Sequence, residues 1–187
     1  MTPIQRRNFL LGSLGVIPAA KSILMMKSTQ PDQGGIYVPA GEDRFQTHHK
    51  VLGGLQIDFK VSSEDSNNGI FIIEHTDTHK GGPPKHIHHE QDEWFYVLQG
   101  DYRLEIGEKK YQLAPGDSVL APRKVPHVWA HVGDGSGKLL IGFQPAGLME
   151  SFLTELSKLE GVPAPESMRE LFEVHGMTIV GPPLAVG

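Results

Sequence analysis

From about residue 47 to residue 145 the chain repeats one pattern: short segments alternating apolar and polar residues, each cut off by Gly, Pro, Asn or Asp. Side chains of an extended backbone point to opposite faces in turn, so a period of two marks strands and the punctuation marks turns. In "GLQIDFKV" (54–61), Leu55, Ile57, Phe59 and Val61 share one face, and "IFIIEHTDT" (70–78) is a β-branched strand. "GD" and "GEKK" flank "YRLEI" as hairpin turns, and "KKYQLAPGDSVLAP" reads as strand, turn, strand. "HVWAHV", "GDGSG" and "KLLIGFQP" complete the series. Twenty-two glycines and 14 prolines in 187 residues favour tight turns over long helices. The expected fold is all-β, a barrel or sandwich over residues 47–145.

The flanks depart from that period. After Pro145 it becomes helical: Leu148, Phe152, Leu156 and Leu159 fall on one stripe ended by Gly161, and "PESMRELFEVHG" predicts a second, shorter helix before a Gly/Pro tail, giving one or two C-terminal helices over 146–187. Residues 27–46 read as a linker and N-terminal arm, with one short strand at "IYV". Residues 1–26 form a separate segment. Arg6, Arg7, Phe9 and Leu10, ahead of a short apolar run, resemble a twin-arginine export signal, which implies a periplasmic location; Gln5 and Leu11 depart from that pattern. Retention of this segment as a membrane anchor stays open, and no other membrane contact is expected.

Composition removes several classes of function. The chain has no cysteine, which excludes disulfides, thiolate zinc sites and cysteine nucleophiles. A net charge of −5 leaves no basic excess to meet phosphates, so nucleic acid is not an expected partner. Ten histidines are the unusual feature, and three of them crowd with three carboxylates into eight positions of "GGPPKHIHHEQDEWFYVLQG" (81–100).

Extended chain after two prolines places His86 and His88 on one face. Beyond a bend at His89–Asp92, Glu93 shares a face with Phe95 and Val97, while Trp94, Tyr96 and Leu98 take the other; both faces are apolar, so periodicity leaves open which one points inward. Chemistry supplies a condition. A carboxylate inside a dry barrel costs several kcal/mol unless something positive meets it. Two imidazoles and Glu93 with converging lone pairs are a ligand set for a divalent first-row metal. His127 in "PRKVPHVWAH" is a candidate for the next ligand; taken alone, it reads more readily as a rim histidine bonded to backbone. Glu90 and Asp92 are alternative carboxylates that fall in the bend and read as solvated acids, and His89 points opposite to His88 and is expected to be exposed.

These residues carry a resemblance to the cupins, a family of small double-stranded β-barrels, over roughly residues 45–145. The first cupin motif is a glycine, five residues, His-x-His, three or four residues, Glu, six residues and Gly; here His86, His88, Glu93 and Gly100 fit, with Lys80 at the leading glycine. The second is a glycine, five residues, Pro-x-Gly, two residues, His, three residues and Asn; here Gly116, Pro122 and His127 fit, with Lys124 for Gly and His131 for Asn. The resemblance implies a double-stranded β-helix (jelly-roll) barrel whose metal ligands are His86, His88, Glu93 and His127, holding Fe, Mn, Ni, Cu or Zn. His131, His75, Phe95 and Trp129 are candidates for the pocket or for support of the ligands; for each, an ordinary core role is the competing reading.

At a finer level "GGPPKHIHHEQDEWFYVLQGDYRL" and "PGDSVLAPRKVPHVW" look like single-domain bacterial cupins grouped with quercetin 2,3-dioxygenase-like proteins. That implies a small-molecule substrate and a metal-dependent dioxygenase acting on a flavonol-like or other enolisable compound, with Glu93 as the base. A non-redox isomerase or hydrolase, and a non-catalytic binder of small ligands or metal, stay open, because one barrel hosts many activities. A homodimer is expected from the frequency of symmetric dimers.

Overall fold

The computed structural model describes residues 34–52 and 54–186. The expectation of an export signal over residues 1–26, and the linker as far as residue 33, lie outside the described residues. From His49 onward the chain builds two antiparallel sheets that face each other. The strands are β1 (His49–Val51), β2 (Leu55–Val61), β3 (Phe71–Asp77), β4 (Lys85–His88), β5 (Asp92–Gln99), β6 (Tyr102–Ile106), β7 (Lys109–Leu113), β8 (Ser118–Ala121), β9 (His127–His131), β10 (Gly137–Gln144) and β11 (Met177–Gly181). One sheet runs β1-β2-β3-β10-β5-β8 and the other β11-β4-β9-β6-β7.

Alternation becomes burial on each strand. Phe71, Ile73, His75 and Asp77 of β3 are buried while their neighbours are half-exposed. On β5 the inward set is Glu93, Phe95 and Val97, which settles the two-sided ambiguity of that segment. Trp94 and Tyr96 lie on the outer face, half-buried, with Trp94 covering the side-chain-free backbone at Gly142. The sheets close over Phe59, Phe71, Phe95, Leu104, Leu139 and Ile141, all at most 2% exposed. Truncating one such ring to alanine costs about 3–5 kcal/mol, so this layer dominates the packing energy. Between β6 and β7 the turn is two residues, Gly107–Glu108, with Ile106 paired to Lys109; Gly107 has φ +57°, a hairpin geometry that glycine adopts at little cost.

Three local expectations are corrected. "IYV" (36–38) forms no strand, since Tyr37 is exposed and no neighbouring strand offers a ladder. The arm is nonetheless docked: the Asp43 carboxylate accepts the Phe59 N–H at 2.6 Å, and Arg44 grips Asp65 through two bonds of 3.0 Å. The helix after Pro145, α1 (Met149–Leu156), buries Met149, Phe152, Leu153 and Leu156, whereas Leu148 and Leu159 of the expected stripe are exposed. Packing against the barrel mouth selected that neighbouring stripe, because Met149 and Leu153 are as apolar as the residues they replace.

The tail is not a loose end. After α2 (Pro165–Val174) it returns as β11, pairing His88 with Met177 and His86 with Ile179. The two short helices are too brief to persist alone. Glu150 in the first turn of α1 accepts the Ser63 N–H at 2.6 Å and the hydroxyls of Ser62 and Ser63, tying the helix to the loop after β2. Phe152 meets Phe172 of α2 edge to face at 5.0 Å, so the helices roof one end of the barrel together.

Candidate metal centre

Backbone constraints deliver four side chains to one point under that roof. Pro83 and Pro84 keep the chain extended into β4, whose buried positions are His86 and His88. Just before them the backbone crosses β9 closely: a Cβ on Gly82 would collide with the Trp129 carbonyl oxygen, so glycine is required there, two positions after the Lys80 at which the motif comparison places it. After the bend, β5 turns Glu93 inward. The fourth residue arrives from the second motif. Lys124, standing where the motif has glycine, adopts φ +65°, and its N–H donates to the His88 carbonyl at 2.8 Å. The turn keeps the glycine conformation at a cost of about 1–2 kcal/mol. It opens β9 at His127, paired across the ladder with His86.

Asp92 locks the two motifs together from outside. Its carboxylate accepts Arg123 N–H, Nε–H and Nη2–H at 2.8, 3.0 and 2.9 Å, and the guanidinium beside it holds the acid down to about 2. Asp92 is therefore a clamp and not a ligand, and Glu90 is exposed beside Lys124. His89 is half-buried rather than free in solvent; its Nε2 lies 2.9 Å from the Thr178 hydroxyl, because β11 covers that face.

Ligand-type atoms of His86, His88, Glu93 and His127 all lie within 4.8 Å of one another, and all four residues are buried. Nε2 of His127, His88 and His86 stands 2.8, 3.1 and 3.9 Å from the same oxygen, Glu93 Oε2. The other ring nitrogens fix the tautomers. His86 Nδ1–H donates to the Pro84 carbonyl at 2.8 Å and His127 Nδ1–H to the Val125 carbonyl at 3.0 Å, which turns both Nε2 atoms toward the cluster. His88 Nδ1 is buried without a partner, so packing holds this ring: it stacks parallel to His127 and against Phe143.

Electrostatics agree with a site built for a cation. Burial, reinforced by the nearby His127, pushes His86 down to about 3, so it stays a neutral donor. Burial would also lower His127, but the hydrogen bond and charge of Glu93 outweigh it and raise the group. For Glu93 burial pushes upward, and His127 and His88 overcome it, holding the carboxyl well below the usual range. A neutral imidazole and a carboxylate would otherwise aim lone pairs at each other across 2.8 Å. Three imidazole nitrogens and one carboxylate oxygen fit a divalent transition ion, with positions left for ligand oxygen. Either that ion or a proton on His127 must occupy the gap.

A cavity of about 100 Å³ adjoins the cluster, lined by His86, His88 and Glu93 and otherwise by mainly apolar side chains of both sheets and both helices. Phe172 of α2 stands edge-on to His86 at 5.5 Å. Of the candidate pocket residues, His75 and Trp129 line this cavity, with their rings edge to face at 4.9 Å. Phe95 does not; it is buried between His127 and Trp129. His131 does not either: it lies beneath the glycine-rich turns at the opposite end, beside Tyr102, with Nε2 buried and unpartnered. Asp77 and Tyr102, which support His75, and Phe172 were not anticipated. The one signal for Asp77 was its position on the His75 alternation.

Comparison with known proteins gives a family model described as "Cupin domain" matching residues 73–143. Over 141 residues the chain is 28% identical to quercetin 2,3-dioxygenase of Bacillus subtilis (strain 168), covering 74% of this chain and 40% of that protein. Over 55 residues it is 29% identical to the uncharacterized protein MJ1618 of Methanocaldococcus jannaschii, covering 29% of this chain and 44% of that one. The chain thus spans less than half the length of either curated relative. Among solved structures, KdgF from Halomonas sp. aligns with a TM-score of 0.48 at 21% identity, covering 60% of this chain and 94% of that one.

Proposed function

We propose that this chain, a member of the cupin superfamily, is a metal-dependent dioxygenase acting on a small enolisable molecule of flavonol-like type. The observation that carries the reading is the convergence of three imidazole Nε2 atoms on one buried carboxylate oxygen, at the floor of a mainly apolar cavity. The likeness to a quercetin 2,3-dioxygenase supports the choice of substrate class.

His86, His88, Glu93 and His127 would hold the ion. When bound, a redox-capable divalent metal supplies Lewis acidity toward substrate oxygen and electron exchange with dioxygen. The protein does the rest. Glu93 Oε2 takes the hydroxyl proton of the enol, so that the substrate enters as an enolate. Before the ion binds, a proton on His127 Nε2, 2.8 Å from that oxygen, stabilises the carboxylate. Carbonyls of Pro84 and Val125 keep His86 and His127 in the required tautomer. The apolar walls exclude water that would compete for the enolate.

The test is oxygen uptake by protein loaded separately with Fe, Mn, Ni, Cu and Zn, in the presence of 3-hydroxyflavone and simpler enols. Stoichiometric oxygen consumption with a redox-capable ion, abolished in Glu93→Gln, is the expected result. Turnover without oxygen and with zinc would replace the reading by a non-redox isomerase or hydrolase. Binding without turnover under any ion would leave a ligand carrier.

A further inference from the structure

Outside the metal cluster, the cavity wall has one titratable side chain among the described residues, His75. It sits on β3, facing inward, where neighbours such as Leu55, Ile57 and Ile73 are apolar. A histidine in such a wall needs a partner, and it has one on the side away from the cavity. His75 Nε2 lies 3.0 Å from Asp77 Oδ1, and Asp77 Oδ2 accepts the Tyr102 hydroxyl at 2.7 Å. A carboxylate oxygen accepts, so Nε2 carries a proton toward Asp77, and in the neutral imidazole the lone pair is then on Nδ1. Nδ1 has no hydrogen-bond partner among the described residues, and the ring to which it belongs lines the cavity. Tyr102 stays a donor, because burial, with Asp77 adding to it, raises its phenol far above the ordinary range.

The register places this acceptor away from the metal. Glu93, Phe143 and Phe71 form one row across the sheet; Val97, Leu139 and His75 form another, four residues further along β3. Four residues of strand are about 13 Å at the backbone. The Trp129 ring, edge-on to His75, also lines the cavity, two positions along β9 from His127. The cavity is therefore polar at two separated places and largely apolar between them.

We infer that His75 is a specificity-determining residue. Its Nδ1 accepts a hydrogen bond from a hydroxyl at the end of the substrate remote from the metal-binding oxygens, and Asp77 and Tyr102 fix the tautomer that makes it an acceptor. The substrate class is then a compact aromatic with an oxygen chelate at one end and a hydroxyl donor at the other. The inference rests on the proposed site and narrows its ligand. A network that merely satisfied a buried Asp77 would show no dependence on ligand hydroxyls.

Binding of 3-hydroxyflavone, 3,7-dihydroxyflavone and 3,4′-dihydroxyflavone to zinc-loaded protein under argon keeps turnover out of the measurement. At least one dihydroxy compound should bind about tenfold or more tightly than 3-hydroxyflavone, the scale of a buried hydrogen bond that water no longer supplies. In His75→Phe the ratio of Kd values should fall to within about twofold of one. Tyr102→Phe, which deletes one hydroxyl at nearly constant volume, should reduce the ratio while zinc content holds. Wild-type protein that shows no preference, or a preference that survives in His75→Phe, would overturn the assignment. Hydroxyl-dependent binding without oxygen uptake under any redox-capable ion would instead overturn the dioxygenase reading and leave the role of His75 standing.

Discussion

His127 Nε2 stands 2.8 Å from Glu93 Oε2, although 34 residues separate them in the chain. With no ion bound, this contact is an ion pair wherever His127 is protonated, the form that Glu93 favours. His127 is raised above its ordinary 6.5, with burial opposing and Glu93 winning; Glu93 is depressed below 4.5, with burial opposing and His127 and His88 winning. A raised histidine stabilises fully below its unfolded value and loses that contribution as pH rises through its folded value. A depressed carboxylate stabilises above its unfolded value and loses that contribution as pH falls through its folded value. Chelator-treated protein should therefore gain most from the pair between about pH 4.5 and 6.5 and show a falling Tm as pH rises beyond that window. Zinc uptake must displace the His127 proton, so affinity should strengthen with pH and proton release should accompany binding. Thermal melts and calorimetry in buffers of different ionisation enthalpy check both; a Tm that does not fall above that window, or zinc uptake without proton release, contradicts the pairing.

Lys124 occupies a left-handed conformation at φ +65°. Lys124→Gly should relieve that strain and, after allowing for the greater freedom of glycine in the unfolded chain, stabilise the protein by roughly 0.5–1 kcal/mol. Metal content should not change, because the backbone bond to His88 is retained. Urea unfolding measures the difference, and a destabilised variant would show that the lysine side chain contributes more than the strain costs.

The Asp92–Arg123 clamp is partly exposed, so its effect on stability should be small at neutral pH. Its pH dependence is more telling. Asp92 is held at about 2 by the Arg123 guanidinium, so its contribution is present above the ordinary 3.8 and disappears as pH falls through about 2. The Tm gap between wild type and Arg123→Ala should be constant from pH 7 to about pH 4 and close below it. A gap that persists unchanged to pH 2 would mean that Arg123 acts through its other bond, to the Gln144 carbonyl.

Strand β4, which carries two of the four donors, is paired with β9 only through His86 and His127 but with β11 along its length. Ending the chain after Gly176 removes β11 and the Thr178 hydroxyl beside His89. Such a variant should lose zinc affinity by about tenfold or more even if the barrel still folds, since the supporting bonds of ligand residues govern affinity on that scale. Metal analysis after gel filtration decides it; full occupancy would show that β4 is held by β9 and the barrel alone.

Much of this protein is legible locally. Alternation from residue 54 onward, the turn at Gly107–Glu108, and the spacing of His86, His88, Glu93 and His127 are properties of short segments, because side-chain direction and turn chemistry follow from neighbouring residues. Other features depend on what arrives from far along the chain. Both faces of "EWFYVL" are apolar, and only the opposing sheet turned Glu93, Phe95 and Val97 inward. A glycine at 82 became necessary only when β9 passed against it. The tail formed β11 because β4 offered an unpaired edge, and Asp77 met Tyr102 across 25 residues. Burial, and with it the charge state of every donor in the cavity, is a property of packed surfaces, so local sequence names the groups and tertiary contact decides what they can do.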